Sequence, residues 1–242
     1  MDRETISALT HGRLPFANPL SEADVEEAIG LLAIPAGGTA LDVGCGNGEV
    51  LARVKRRHDV TTMGIEPSPR WAAAARERVD IVHAAPLAEV APMEAAWDLV
   101  VCIASSHAFG TWSDALFGLR RLARPGGRAL VGEGFWRRPP SPGFLEALGG
   151  ASADELPDHD GLLAGARAAG WQVEDERVAS DADWALYEET LIANGERALA
   201  AHEDADLRAW VAAARALGAP RRARHARLLA AHPPRGAVRA AP

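Results

Sequence analysis

The run Leu41-Asp42-Val43-Gly44-Cys45-Gly46-Asn47-Gly48 constrains this chain more than any other feature. An apolar stretch, Thr39 to Val43, precedes it, and a helical pattern from Glu49 to Arg57 follows, so the run reads as a strand-to-helix turn. Its glycines permit positive φ angles and a close approach of backbone to a ligand, while the helix start directs its free amides at the same point. In sheets wound with helices, ligands bind beyond the carboxyl ends of the strands, which makes the turn a candidate binding site. Two phosphate-bearing ligand classes fail on spacing. A dinucleotide fingerprint of the form G-x-G-x-x-G/A, counted from Gly44, needs Gly or Ala where Glu49 stands, and an acid at a helix start opposes a pyrophosphate. A phosphate-binding P-loop needs Gly-Lys followed by Ser or Thr, and the run has no Lys.

The turn belongs to a longer alternation. Strands are expected at Thr39 to Val43, Thr61 to Ile65, Ile81-Val82, Asp98 to Ile103 and Arg128 to Glu133. Helices are expected at Glu49 to Arg57, Pro69 to Val79 and Ser113 to Leu122, with an earlier one capped by Ser21 and running to Leu32. Short apolar runs alternating with helical stretches imply an α/β fold, a doubly wound and mostly parallel sheet. Beyond the prolines at 139, 140 and 142 the pattern loosens to a helix from Gly161 to Ala169 and a strand from Trp171 to Val178. Only helical patterns follow: Asp181 to His202, Asp206 to Leu217 and Arg221 to Ala231. The expected organisation is an N-terminal segment and helix over 1–36 that folds over the site, a core domain over 37–180, a helical C-terminal cap over 181–231, and a disordered tail over 232–242. Residues 174–206 hold 11 acids against 2 Arg, and 208–242 hold 8 Arg and no acid, which reads as two helical faces attracting each other.

Composition narrows the function. With 242 residues, 48% hydrophobic and 24% charged, the chain is long enough to bury a core and ordinary enough to be globular. Its formal net charge of −7 argues against a nucleic-acid partner, whose phosphates require clustered Lys and Arg. The only cysteines, Cys45 and Cys102, make no disulfide framework and suit a reducing compartment, so a cytoplasmic location is expected. No apolar stretch is long enough to span a membrane, so no membrane partner is expected, and no metal is called for.

An acid-flanked glycine turn suits a ligand with an amino acid end and an adenosine end but no phosphate, which S-adenosylmethionine is. Together with Gly64-Ile65-Glu66-Pro67-Ser68 at the end of the second strand, the turn resembles those of class I S-adenosylmethionine-dependent methyltransferases. Pro125-Gly126-Gly127 before the fifth strand is a further mark. The resemblance implies a Rossmann-like fold and S-adenosylmethionine as cofactor, with S-adenosylhomocysteine as its product. It further implies that the turn passes the methionine moiety and that Glu66 accepts hydrogen bonds from both ribose hydroxyls. The cofactor-binding residues so implied are Asp42, Gly44, Cys45, Gly46, Asn47, Glu66, Pro67, Ala85, Pro86 and Cys102. More closely, the chain is similar to a bacterial group of unassigned substrate. The residues that carry this are His11 to Asn18-Pro19-Leu20, the run Gly132-Glu133-Gly134-Phe135-Trp136-Arg137-Arg138-Pro139, and a helical segment with Trp184 and Tyr187. Two departures matter. His83-Ala84-Ala85-Pro86 offers no acid for the adenine amino group, so backbone near Ala85 would hold the base. His232 to Arg239, with two prolines and two arginines, is a poor final strand, so the seventh strand is expected to be missing or short.

Methyl transfer is an in-line displacement at an already activated carbon, so alignment in a dry site is the main requirement and a base is needed only where the nucleophile must shed a proton. His107, after the fourth strand, is the leading catalytic candidate, either taking that proton or holding a substrate, with a structural loop histidine as the plain alternative. His11 is a weaker one. Trp112 and Trp136 could line a substrate pocket or pack, and Arg137 and Arg138 could meet an anion or face solvent. Cys45 and Cys102 could form a redox pair or fill space. The expected activity is methyl transfer to a small molecule. The alternatives are a noncatalytic S-adenosylmethionine-binding or assembly protein and, behind it, a nicotinamide dehydrogenase, which Glu49 disfavours.

Overall fold

The computed structural model describes residues 1–12, 14–148, 150–217 and 224–232. Two helices come first, α1 (Arg3–His11) and α2 (Glu22–Leu31). Then the chain alternates through β1 (Thr39–Val43), α3 (Glu49–His58), β2 (Thr61–Ile65), α4 (Pro69–Ala75), β3 (Ile81–His83), α5 (Leu87–Val90), β4 (Trp97–Ile103), α6 (Trp112–Leu122) and β5 (Ala123–Trp136). After these come α7 (Pro142–Ala147), α8 (His159–Ala168), β6 (Gln172–Val178), α9 (Asp181–Ala201), α10 (Ala205–Leu217) and β7 (Arg224–His232). The seven strands form one sheet in the order β3-β2-β1-β4-β5-β7-β6. The first five are parallel, with β7 antiparallel to both β5 and β6.

The central strands are apolar because helices cover both of their faces. Leu41, Val43, Val100 and Cys102 pack on one side with Leu116 and Leu119 of α6, while Ala40, Leu99, Val101 and Leu130 pack on the other with Ile29 of α2 and Leu51 of α3. β1 leads to the helix after it on one side of the sheet, whereas β4 leads to α6 on the other. The strand order therefore reverses between β1 and β4, and a crevice opens at their carboxyl ends. The N-caps that start the helices are local and simple. Ser21 accepts from the Asp24 amide, and Thr111 and Asp114 form a reciprocal capping box.

The parallel, doubly wound, Rossmann-like sheet is as expected, but the C-terminal reading requires correction. The segment expected as a helix over 221–231 is a strand, β7, so the expected missing seventh strand exists and lies earlier than the proline-containing run. Alanine, leucine and arginine favour helix in isolation. Here β7 fills the gap between β5 and β6, pairing Ala129 with Ala231 on one side and Val173 with Ala231 on the other, and the two ladders override that preference. Leu229 and Ala231 point into the core. The tail expected over 232–242 lies, apart from His232, outside the described residues. A helix at the N-terminus was not expected, yet α1 packs along α9 and its Thr10 carbonyl accepts from Asn194 at 2.9 Å. Between α9 and α10, Arg215 pairs with Glu196, one instance of the expected attraction between acidic and basic stretches. No described helix is long and apolar enough to cross a membrane.

Candidate active site

The glycine turn sits at the crevice. Gly44 and Cys45 donate their amides to the Ile65 carbonyl at 2.8 and 3.1 Å, which fastens the turn to the end of β2. Gly44 has φ +80°, and a Cβ there would collide with Ser105, so glycine is required. Gly46 has φ +55° and an added Cβ would meet nothing within 4 Å, which marks an open cradle in the wall of a cavity. Glu66 closes it. Its Oε2 accepts from the Gly46 amide at 3.0 Å and its Oε1 from the Ser68 amide at 2.9 Å. Burial raises the pKa of Glu66, and the Ser68 and Gly46 amides pull in the opposite direction. Asp42, fully enclosed below the turn, is pushed up to about 7 by burial first and by the charge of Glu66 second.

This first cavity, about 520 Å³, is lined by Asp42, Gly44, Cys45, Gly46, Asn47, Glu66, Pro67, Pro86 and His107 among the expected site residues. Ala85 and Cys102 do not line it. The wall near the expected adenine position is instead Pro86, Leu87 and Ala88, where α5 begins. Cys102 is fully buried on the opposite side of the sheet from Cys45, in a different core cluster, so the two do not form a redox pair. Burial raises both thiol pKa values and keeps the groups protonated. Asn47 ties the turn to the N-terminal segment, donating to the Pro15 carbonyl at 3.2 Å and accepting from the Glu49 amide at 3.0 Å. Glu49 itself meets Arg53 at 2.9 Å. Arg53 also reaches Glu22 and Glu26, and its guanidinium lies 5.0 Å over the Phe16 ring, which holds that cavity-lining residue in place. Phe16, within the run His11 to Leu20, and Trp71, which no motif announced, are also wall residues.

A second cavity, about 330 Å³, shares Ala17, Asn18, Ile103 and Ala104 with the first. Its other walls include His11, Leu20, Glu133, Trp184, Tyr187, Glu188, Leu191 and Trp210. The three separate segments that carried the closer resemblance, near residues 11–20, 132–139 and 184–187, therefore converge here. Glu188 was missed, although Trp184, Tyr187, Glu188 and Leu191 recur at the spacing of one helix face. The imidazole of His11 contacts the Ser7 carbonyl through Nδ1 at 2.7 Å and the Tyr187 hydroxyl through Nε2 at 3.0 Å. A carbonyl only accepts, so Nδ1 carries the hydrogen and Nε2 accepts from Tyr187. Burial lowers the His11 pKa and keeps the ring neutral. Glu133 accepts from the Gly134 amide at 2.7 Å and from the Ser106 hydroxyl. Ala104, in the shared wall, has φ +58°, a strained angle for a residue with a side chain.

Trp112 and Trp136, considered above as lining residues, pack instead: Trp136 is buried edge-to-face on Phe144, and Trp112 donates to the Leu162 carbonyl at 3.4 Å. Arg137 pairs with Asp181 at 3.1 Å on the surface.

Residues 41–129 match a family model described as a methyltransferase domain. Along 88% of this chain and 89% of its own, an uncharacterized Escherichia coli protein, YjhP, is 28% identical. The 27-O-demethylrifamycin SV methyltransferase of Amycolatopsis mediterranei is 33% identical over 49% of this chain and 46% of its own. Among solved structures, a methyltransferase from Geobacter sulfurreducens crystallised with S-adenosyl-L-homocysteine superposes with a TM-score of 0.85 at 22% identity, covering 95% of this chain and 98% of that one. One from Thiobacillus denitrificans, in complex with the same molecule, has a TM-score of 0.84 at 22% identity, over 97% and 99% of the two chains. Residues 41–129, which hold the glycine turn, thus resemble a methyltransferase domain, and the chain shares its fold with these two methyltransferase structures.

Proposed function

We propose that this protein methylates a small molecule that enters through the second cavity. The observation that carries the reading is the pair of cavities joined at Ile103 and Ala104, one with the open glycine cradle and the other with its own polar groups. When bound, S-adenosylmethionine supplies a methyl group already activated by its sulfonium. The Gly46 cradle leaves room for the amino acid portion, and Glu66, held by two amides, presents its carboxylate edge to the ribose hydroxyls. The Leu87 and Ala88 wall packs the base, with backbone groups near Pro86. Phe16 and Trp71 exclude water from the same space, which strengthens each polar contact inside it.

His107 stands at the exposed lip of the first cavity, in a short 3₁₀ turn over Ser106–Ala108. We assign it the task of taking or holding the acceptor's proton, a contribution of order 10²- to 10⁴-fold where the nucleophile is protonated. The net charge of −7 supports a small-molecule acceptor over a nucleic acid.

The test combines calorimetric titration with S-adenosylhomocysteine and incubation of the protein with S-adenosylmethionine, labelled in its methyl group, and a metabolite panel. Cofactor binding with label transferred to a panel member is the expected outcome. Binding without transfer to any metabolite would favour a noncatalytic S-adenosylmethionine-binding protein, and no binding at all would refute the cofactor site.

A further inference from the structure

The seam between the two cavities bears on the reacting end of the methyl acceptor; this step rests on the reading above. Among the described residues, Ala17, Asn18, Ile103 and Ala104 stand in both walls, and of these Asn18 alone has a hydrogen-bonding side chain. A methyl group that passes from the first cavity to the second crosses this seam, so the Asn18 carboxamide is the polar side chain that both reactants share. The local sequence decides which edge of it is available. Pro19 has no N–H, so the first amide beyond Asn18 is that of Leu20, which donates to Asn18 Oδ1 at 3.0 Å. An amide hydrogen needs an acceptor, and this fixes the carboxamide oxygen toward Leu20. Leu20 is itself buried in the main core, which anchors the turn. The remaining edge is the Nδ2 group, whose two hydrogens meet no acceptor among the described residues.

An NH2 edge offers hydrogens and no lone pair. A purely apolar reacting end, or one that carries only donors, would leave it unpaired. An oxygen with lone pairs gains a hydrogen bond, worth about two- to tenfold in affinity. A donor on the nucleophile itself would draw away the electrons that attack the methyl group, so the useful partner is a second oxygen beside it. A carbonyl oxygen suits this place, because it accepts and has no hydrogen of its own. We propose that Asn18 determines specificity by donating from Nδ2 to a carbonyl oxygen next to the atom that is methylated. The acceptor is then a small molecule with a carbonyl beside its nucleophilic oxygen or nitrogen. In this role Asn18 orients the acceptor and exchanges no proton.

Two probes of nearly equal shape isolate the carbonyl: acetophenone and α-methylstyrene, which differ as C=O from C=CH2. Each is titrated by ligand-observed NMR into protein saturated with S-adenosylhomocysteine, whose own affinity is measured by calorimetry in the same series. The quantity read is the ratio of the two probe affinities, compared between wild type and two variants. Asn18→Asp keeps an oxygen for the Leu20 amide and loses the NH2 group, whereas Asn18→Leu loses both and adds no charge. The expected result is that each variant lowers the preference for acetophenone at least about threefold, with the melting temperature of Asn18→Asp close to that of wild type. A ratio lowered by Leu and not by Asp would assign the effect to the turn, and one lowered by Asp and not by Leu to the new charge; either overturns the proposal. So would binding of neither probe to the saturated wild type, or variants that weaken S-adenosylhomocysteine and leave the ratio unmoved, since the donor would then serve the cofactor. Should Asn18→Leu fail to fold, Asn18→Asp still decides. Failure of wild type to bind S-adenosylhomocysteine would bring down the cofactor site and this proposal together, whereas an unmoved ratio with S-adenosylhomocysteine bound overturns this proposal alone.

Discussion

The two cavities meet at Ile103 and Ala104, yet they are put together in opposite ways. The first is built mainly from short contiguous pieces at the ends of neighbouring strands, the turn after β1, Glu66 after β2, the start of α5 after β3 and His107 after β4, with Pro15 to Asn18 and Trp71 completing its wall. The second draws one wall from α1 and the segment after it, another from β5 and a third from α9 and α10, parts that are up to 199 residues apart, from His11 to Trp210. A site made by strand ends is positioned by backbone ladders that the core already requires. A site made by docking α9 against α1 depends on a few side-chain contacts, such as Asn194 to the Thr10 carbonyl and Tyr187 to His11, and is free to differ in what it accepts.

The largest effect that separates them is expected from Gly46→Val. The backbone at φ +55° tolerates a β-branched residue poorly, and the new side chain occupies the cradle. S-adenosylhomocysteine affinity should fall about a hundredfold or more, roughly 2.8 kcal/mol, in a protein that still unfolds cooperatively. Unchanged affinity by calorimetry would displace the turn from the site.

Arg53→Met tests the link between the regions. It removes the cation among Glu22, Glu26 and Glu49 and the group stacked on Phe16, so chemical denaturation should show a loss of about 2 kcal/mol, less than a fully buried pair would lose, because Glu22 and Glu26 reach water. A change within experimental error would mean that the N-terminal wall is held by other contacts.

Glu66→Ala should weaken S-adenosylhomocysteine by about tenfold or more, the value of one hydrogen bond to a charged group, with the fold retained. Affinity equal to wild type would remove Glu66 from the site.

How far each region was legible follows from the same contrast. The strands from Thr39 to Val43 and from Thr61 to Ile65 and the helix from Glu49 show local periodicity and sit beside glycines that allow few structures, so their limits could be read almost residue for residue. Glu66 was singled out by the resemblance of the run after the second strand, and it lines the first cavity. Ala85 and Cys102 do not line the first cavity, and periodicity tells which residues end a strand but not which way each side chain faces. β7 was read as helix because Ala226, Leu228, Leu229, Ala230 and Ala231 carry helix propensity, and the gap between β5 and β6 that recruits them is a long-range property. For the second cavity, the aromatic residues and Glu188 could be seen on one helical face, but nothing local says that this face meets His11.

Asp42 offers a pH signature confined to the first cavity. Its pKa rises from an ordinary 3.8 to about 7 on folding. Below pH 4 both folded and unfolded forms hold the proton. Between 4 and 7 the folded chain keeps a proton that the unfolded chain has released, so raising the pH through this window disfavours folding, by on the order of 1 kcal/mol per unit. Thermal melts of ligand-free protein should show this downward trend, and Asp42→Asn should flatten it. A wild-type trend that Asp42→Asn leaves intact would assign the effect to other groups.

The smallest expected effect lies where the cavities join. Ala104 follows β4 with φ +58°, and its amide donates to the Gly132 carbonyl at 2.8 Å, so β5 holds the residue in the strained angle. Ala104→Gly relieves the strain, worth roughly 1 to 2 kcal/mol for a left-handed residue, but loosens the unfolded chain by about 0.4 to 1 kcal/mol. The net should lie between no change and a gain of about 1.6 kcal/mol by denaturation. The same change removes a methyl group from the wall common to both cavities. A destabilised Ala104→Gly would mean that the angle carries no strain and that the methyl group packs, which would make the junction part of the rigid first region and not a seam between the two.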